Sequence, residues 1–364
     1  MLGARISQNQ HLSYCNNMEN LKEILATPKQ IGLLLGAGVS KACGLPNIED
    51  ITKLAIAGIT NANFIKILDD KDTVENILNK TQQLRILLKS GKEINSLKEQ
   101  DILDIEKAIK KIIFDELSIE IDTDNFYKLV LWLNFINRDY EKEIFTLNYD
   151  LLVEKALEKA SLPYFSGFIG NVKPFFITDS VDDFQGVYVK QSWVKLWKLH
   201  GSLNFVKDIS DKIYIDNSGI ESAENLLIYP SMDKYLSSRK APYISYLDRL
   251  RKYLIDKEKI VFVLGYSFGD DHINEVIVNG LNNNHRLSVI AFAYDDFTFK
   301  QGIGLLGSYP NFSIYTNKKK YSNRRESIFN STSNIGDFNN LISLIDEITF
   351  SKPIAPEPKI IPKP

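Results

Sequence analysis

Cysteine is scarce in this chain: Cys15 and Cys43 are the two among 364 residues. A fold held together by several disulfides is therefore excluded, and so is a metal site built from four thiolates. Long apolar runs are missing as well, and none approaches the ~20 residues that a helix needs to cross a bilayer. The start of the chain has no apolar segment typical of a secretion signal. We therefore expect a soluble protein of the cytoplasm with no membrane attachment.

A charge excess of either sign is also missing. The chain has 44 Lys and Arg residues against 46 Asp and Glu, which leaves a net charge of −2 at pH 7. A protein that coats nucleic acid would show a clear basic excess, so we expect any contact with nucleic acid to be indirect. The composition, 44% hydrophobic and 25% charged, is that of an ordinary globular protein.

The most informative segment runs from Ile31 to Pro46 and reads IGLLLGAGVSKACGLP. In it an apolar strand leads directly into a glycine-rich turn and the start of a helix. Gly36 and Gly38 lack the Cβ atoms that would keep a diphosphate away from the backbone, and Ser40 adds a hydroxyl near the helix N-terminus. The predicted diphosphate-binding loop comprises Gly36, Ala37, Gly38 and Ser40. The same glycines would also serve a plain strand-to-helix turn.

Three further motifs each follow a short apolar run that predicts a buried strand. They are Thr146-Leu147-Asn148-Tyr149-Asp150, Leu199-His200-Gly201 and Gly265-Tyr266-Ser267. In a parallel sheet covered by helices, ligands bind beyond the carboxyl ends of the strands. Motifs that follow four such strands therefore predict a single shared site.

Within these motifs, His200 is the first candidate for catalysis. An imidazole that titrates near neutrality can take a proton from a hydroxyl or a water. Asn148 offers an amide donor and an acceptor, although it would also cap the helix that follows. For Asp150, a contact within the site and charge complementation at the start of that helix stay open.

Apolar strands without alternation, separated by helices, predict an α/β fold: a Rossmann-like, mostly parallel sheet with helices on both faces. We expect a lead-in over residues 1–29, a main domain over 30–295, a C-terminal extension over 296–350 and a proline-rich tail over 351–364. Residues 61–137 have a helical pattern throughout and predict an inserted helical module. This module would serve as a cap on the sheet, or else as a subunit contact or lid.

Together the four motifs resemble those of sirtuin-type domains, whose pattern is GAGxS…GxP, T-x-N-x-D, His-Gly and a later G-x-S. The segments FTLNYDLLVEKAL, KLHGSLNF and LGYSFGDDHIN are more narrowly similar to sirtuin-like proteins of bacterial antiphage defence. The resemblance implies an NAD glycohydrolase that cleaves NAD to nicotinamide and ADP-ribose through an oxocarbenium-like transition state. NAD would be its substrate, and the enzyme would stay latent until assembly or a partner activates it.

The resemblance also implies roles for individual residues. His200 would be the catalytic base, and Asn148 would hold the nicotinamide ribose and orient the attacking water. The remaining residues implied to contact NAD, besides the glycine loop, are Pro46, Asp150, Gly265, Ser267, Asp270 and His272. For Asp270 an ordinary role as a helix cap stays open.

The chain departs from protein-deacylating sirtuins in several ways. No Cys-x-x-Cys pair follows His200, so no zinc is expected. Leu147 stands where those enzymes usually carry glutamine, and no peptide-docking segment is recognised. An NAD-dependent deacylase is therefore a weaker alternative, and a catalytically silent scaffold that binds NAD or ADP-ribose is another.

The same resemblance implies two kinds of protein partner: further copies of this chain in a homo-oligomer, and a HerA-type ATPase. The basic run from Asn317 to Arg325 could contact phosphate backbones. Because no basic bias accompanies it elsewhere, we interpret it as a solvated loop.

Overall fold

The structure, a computed structural model, describes residues 18–27, 29–89, 91, 93–136, 140–182, 189–208, 210–218, 226–228 and 241–350. Cys15 and the expected tail over 351–364 lie outside these ranges. Among the described helices, none combines the length and the apolar character needed to cross a membrane.

The strands form two sheets. Their bounds are β1 Ile31–Leu35, β2 Lys142–Thr146, β3 Tyr164–Phe165, β4 Phe168–Ile169, β5 Phe175–Phe176, β6 Val194–Lys198, β7 Gly201–Lys207, β8 Ile213–Ile215, β9 Leu226–Ile228, β10 Lys259–Leu264, β11 Leu287–Phe292, β12 Phe312–Tyr315, β13 Lys319–Ser322 and β14 Arg325–Ile328. The larger sheet has the order β14-β13-β12-β11-β10-β1-β2-β6-β3, and the smaller one the order β4-β5-β8-β7-β9.

Helices connect most of the strands of the larger sheet. Their bounds are α1 18–26, α2 Ala37–Ala42, α3 Ile48–Gly58, α4 Ala62–Ile65, α5 Val74–Leu88, α6 Glu99–Leu117, α7 Asp124–Ile136, α8 Leu152–Lys159, α9 Asp179–Asp182, α10 Tyr243–Ile255, α11 Asp271–Asn283, α12 Asp296–Leu306 and α13 Phe338–Phe350.

The larger sheet is parallel from β3 through β12, and the hairpin of β13 and β14 joins it in antiparallel fashion. Strands β1, β2, β6 and β10 are buried along their whole length. Cover by helices on both faces explains the apolar runs of β1 and β10, whereas β2 and β6 also bury charged residues, namely Lys142, Glu143, Lys195 and Lys198. The predicted α/β class with a mostly parallel sheet is confirmed.

The two faces of the sheet carry separate hydrophobic clusters. Leu33 of β1 packs into one cluster, with α3 and α5 to α8, whereas its neighbour Leu34 packs into the other, with α10 to α12. Successive residues of a strand point to opposite faces, so a single strand supplies both clusters. The larger sheet therefore contributes to two hydrophobic cores, one on each of its faces.

The predicted helical region between the first two motifs is present as α4 to α7. It packs on one face of the sheet through side chains such as Phe64, Ile77, Ile109 and Leu129. Glu106 of α6 joins two helices, because its carboxylate lies 3.1 Å from Arg85 Nη1 of α5 and 2.7 Å from Lys110 Nζ. The expected domain boundaries stay predictions.

The basic run from Asn317 to Arg325 is not a loop, and that interpretation was wrong. It forms β13 and the start of β14 at the edge of the larger sheet. Tyr321 lies opposite Ile314 of β12, and Lys320 places its ammonium 5.1 Å from the centre of the Tyr315 ring. Backbone pairing with β12 thus outweighs the polar composition, and charged residues are common on edge strands because they discourage further pairing.

Candidate functional site

The four motifs lie at one edge of the larger sheet. Strands β10, β1, β2 and β6 are consecutive neighbours, and Leu35 of β1 is in register with Leu264 and Thr146, which in turn pairs with Lys198. All four strands therefore end at the same level. With neighbouring strands ~4.8 Å apart, their ends span roughly 14 Å. Sequence reasoning expected this convergence, and the register provides it.

The glycine loop packs against the loop that follows β10. The Gly36 and Gly38 N–H groups donate to the carbonyl oxygens of Leu264 and Gly265, each over 2.9 Å. A Cβ atom on Gly36 would lie 2.5 Å from Gly265 O, and one on Gly38 would lie 2.8 Å from Gly265 Cα. Gly265 has φ +63, and its own Cβ would lie 2.4 Å from Val39 N. The glycines are thus required by close approach of two backbones.

A buried hydrogen-bond network joins the glycine loop to the loop after β2. Asn148 Nδ2 donates to Gly36 O over 3.1 Å and to Ser40 Oγ over 2.8 Å. Ser40 Oγ in turn donates to Asp150 Oδ2 over 2.7 Å, and Asp150 Oδ1 accepts from Leu152 N over 3.0 Å. Ser40, Asn148 and Asp150 are all buried. The Ser40 hydroxyl, predicted to add to an anion site, is therefore engaged within the protein.

The Lys198 side chain contacts the backbone of the loop after β2. Sequence reasoning did not identify this residue. Its buried ammonium donates to the carbonyl oxygens of Tyr149 and Asp150 and lies 3.2 Å from Glu154 Oε1. Burial raises the pKa of the Glu154 carboxyl, against the opposing effect of the Lys198 charge. A lysine inside the apolar run VKLWKL was the signal that could have pointed to it.

His200 lies in the short connection between β6 and β7, and the residue is only 7% exposed. Its Nε2 atom is 2.9 Å from Asp270 Oδ2. The Nε2–H bond does not point along that line, so Nε2 makes no aligned hydrogen bond within the described residues. The Tyr149 ring centre lies 6.4 Å from that of the imidazole. Gly201, with φ +97, provides the sharp turn into β7.

Asp270 reaches His200 because the loop after β10 crosses the ends of two other strands. Tyr266 holds this loop: its single phenolic O–H is shared between Asn274 Oδ1 at 2.9 Å and Asp270 O at 3.0 Å. Phe268 has φ +60, a conformation that non-glycine residues rarely adopt. Asp270 also caps α11, since its Oδ1 accepts from the His272 and Ile273 N–H groups. The alternative of a helix-capping Asp270 is therefore observed.

The other predicted site residues differ in exposure. Ala37 and Ser267 are exposed, whereas Pro46 and His272 are half-buried. Their contacts with a ligand stay predictions. Within the described residues, no group of three or more His, Cys, Asp or Glu side chains is placed to hold a metal ion.

A contact with the inserted helices is the second feature that sequence reasoning missed. Tyr149 lies between Asn148 and Asp150 in the loop after β2, and its phenol donates to Glu75 Oε1 of α5 over 2.7 Å. A residue of the inserted helices thus lies one hydrogen bond away from the candidate site.

The fold and site define an α/β protein with its candidate site at the carboxyl edge of a parallel sheet. Residues 142–303 match the family model described as the SIR2-like domain. This range includes Asn148, His200 and Ser267, whereas the glycine loop precedes it. Over this range the chain is similar to the SIR2-like domain. No significant match was found among curated proteins.

Three solved structures are distantly similar to the chain. A crystal structure of a Sir2 homolog–NAD complex has 14% identity and a TM-score of 0.47, covering 91% of this chain and 93% of that chain. A mutant Sir2 homologue in complex with ADP-ribose has 15% identity and a TM-score of 0.43, covering 91% and 96%. A structure described as a basis for the mechanism and regulation of Sir2 enzymes has 11% identity and a TM-score of 0.45, covering 90% and 96%.

Proposed function

We propose that this protein hydrolyses NAD at the bond between nicotinamide and ribose. The bond from ribose C1′ to the pyridinium nitrogen breaks, and its electron pair stays on that nitrogen, so nicotinamide leaves as a neutral ring. A water oxygen bonds to C1′, and the proton of that water passes to His200. The products are nicotinamide and ADP-ribose. The observation that supports this most directly is the placement of His200 and Asn148 at the ends of the neighbouring strands β6 and β2.

The residues of the site fit the demands of such a reaction. Because the leaving group is neutral, no general acid is needed, and the protein has to position the substrate and one water. Both described hydrogen bonds of the Asn148 amide group are given by Nδ2, which leaves Oδ1 to accept a hydrogen bond from water or from a ribose hydroxyl. Ala37 and Gly38, which directly follow β1, are exposed residues and would approach the diphosphate.

The test is to incubate purified protein with NAD in the absence of any peptide and to measure free nicotinamide and ADP-ribose. General-base assistance is worth ~10²–10⁴-fold in rate, so His200→Ala should lose activity by that factor while retaining NAD binding. His285→Ala, an exposed histidine in the turn before β11, is the matched control and should keep full activity. Equal rates for His200→Ala and the parent protein would refute the proposal. Turnover that requires an acylated peptide would favour a deacylase, and binding without turnover a scaffold.

We further propose that the enzyme is inactive until self-assembly or a HerA-type ATPase activates it. Its activity would then serve antiphage defence. The support in this chain is the link from the inserted helices to the site loop through Glu75 and Tyr149. NAD cleavage per chain should then rise with protein concentration or on addition of the ATPase. Bacteria that carry the parent gene should survive phage better than those carrying His200→Ala. Full activity of an isolated monomer would contradict the latency.

A further inference from the structure

We infer that Asp270 is a positioning residue that holds the His200 imidazole as its Nε2–H tautomer and so leaves Nδ1 as the nitrogen that accepts the proton. This inference deepens the proposed function and rests on it for the role of His200 as a base. The geometry itself is independent of any substrate.

The first support is the enclosure of the pair. The side chains of His200 and Asp270 are only 9% and 10% exposed, and Nε2 lies 2.9 Å from Oδ2. A buried ring nitrogen needs a hydrogen-bond partner, and this carboxylate is within reach of it. In a neutral imidazole one nitrogen carries the proton and the other accepts. A carboxylate oxygen can only accept, so the proton belongs on Nε2. Catalytic hydrogen bonds are often poorly aligned without ligand and tighten in the complex.

The second support is that the two oxygen atoms of the Asp270 carboxylate have different contacts. Oδ1 caps α11 by accepting from two backbone N–H groups, and a helix cap needs no second oxygen. Oδ2 is the atom that faces His200. Asp295 provides the contrast, since it caps α12 through Oδ1 and its described hydrogen bond is to Thr298 N.

The third support is the way the backbone presents Asp270. Its carbonyl oxygen accepts from the Tyr266 phenol over 3.0 Å, and its N–H donates to the same phenol over 3.3 Å. Phe268, two residues earlier, holds a left-handed backbone conformation with φ +60. Such strained conformations persist only where surrounding structure holds them, and they cluster at functional sites.

The other charged and titratable groups around His200 do not replace Asp270. From the loop after β2, the Tyr149 phenol is bound to Glu75, and burial raises its pKa well above the usual range, so it stays neutral. Asp150 is bound to Ser40, and the Lys198 ammonium is directed to backbone carbonyls and Glu154. From α11, Asp271 is exposed and His272 half-buried. Among the residues that the structure describes, Asp270 is therefore the carboxylate paired with the imidazole.

The test is Asp270→Asn, which retains an amide oxygen that can cap α11 but removes the negative charge. Asp295→Asn is the matched control, because it makes the same change at another helix cap. The chain has four histidines, so the His200 ring can be assigned in ¹³C and ¹⁵N spectra of labelled protein by comparison with His200→Ala. The parent protein should show the Nε2–H tautomer. In Asp270→Asn the amide Nδ2, a donor, takes the place of Oδ2 opposite His200 Nε2, so the ring should shift towards the Nδ1–H tautomer.

A second readout separates positioning from a merely structural role. For Asp270→Asn, kcat for NAD cleavage should fall roughly 10- to 100-fold, as for other groups that orient a histidine, while KM and the rates of Asp295→Asn stay at parent values. Asp270→Ser, which also caps helices, keeps the test available if Asp270→Asn fails to fold. An Nδ1–H tautomer in the parent protein, or an Nε2–H tautomer that persists in Asp270→Asn, would overturn the inference. Absence of NAD cleavage by the parent protein, even at high protein concentration and with the ATPase added, would refute the proposed function alone, since the spectra do not depend on it.

Discussion

Tyr149 and Glu75 are 74 residues apart in sequence and share a 2.7 Å hydrogen bond. The bond joins α5 of the inserted helices to the loop that carries Asn148 and Asp150. Burial, reinforced by the charge of Glu75, raises the pKa of the Tyr149 phenol well above its usual range. The phenol therefore keeps its proton, and remains a hydrogen-bond donor, above the pH at which a free tyrosine would ionise.

Tyr149→Phe should lower the free energy of unfolding by about 1.5–3 kcal/mol, because it removes a hydrogen bond to a charged group. Tyr164→Phe is the matched control: its phenol donates to Glu158 Oε1 over 3.0 Å, six residues away in sequence, and it should cost less than about 1 kcal/mol. Urea unfolding measures both values. Equal losses for the two variants would show that the Tyr149 contact has no special weight.

Ser40→Ala should disturb the site because it removes the hydroxyl that joins Asn148 to Asp150. We expect a loss of about 1–3 kcal/mol in stability together with a loss of NAD cleavage. Ser180→Ala removes another buried hydroxyl, which donates to Ile177 O over 2.6 Å, and should affect stability but not cleavage. Melting curves measure the change in stability, and nicotinamide release measures the change in NAD cleavage. Retention of full cleavage by Ser40→Ala would separate this network from the function.

Gly38→Ala tests the close approach of the two loops. The new Cβ atom would lie 2.8 Å from Gly265 Cα and 2.9 Å from Gly265 O, so the backbone would have to shift at a cost of typically ~1–3 kcal/mol. Gly304→Ala in α12 meets no atom within 4 Å and should stabilise the helix by up to about 1 kcal/mol. Thermal unfolding measures the stability of the two variants, and calorimetry measures their binding of NAD. A Gly38→Ala protein as stable as the parent would contradict the tight contact.

The Cys43 thiol should react slowly and with a characteristic pH dependence. Burial, followed by the charge of Asp150, raises its pKa from 9.0 to about 12. Because the thiolate is the reactive form, alkylation of the folded protein should accelerate ~10-fold per pH unit up to pH 10 without a plateau. The folded state disfavours the thiolate, so this group's contribution to stability is complete below about pH 9 and is lost as the pH rises towards 12.

Mass spectrometry of alkylated Cys15→Ser protein measures this rate at Cys43 alone. The same protein unfolded in guanidinium is the control, and its alkylation rate should level off near the ordinary thiol pKa of ~8.5. A plateau at that pH in the folded protein would show that Cys43 is not shielded.

Local sequence was sufficient for the α/β class, the helical insertion and the strands that precede the four motifs. Runs rich in apolar residues, such as those of β1 and β10, indicate buried parallel strands, because both faces of such a sheet are covered. It also pointed to His200 and Asn148, since polar residues directly after such strands gather at one edge. The hairpin of β13 and β14 escaped this reasoning, because pairing with β12 depends on partners that a polar segment does not reveal.

Only the tertiary structure decided how those residues are used. His200 contacts Asp270, Ser40 contacts Asp150, and Tyr149 contacts Glu75; these pairs are 70, 110 and 74 residues apart in sequence. No periodicity or spacing encodes such pairs, because each depends on loops that cross the sheet edge after the core has packed. The sequence by itself determined which residue types stand at the ends of the strands. The close packing of backbone segments that are distant in sequence determined which partners these residues contact.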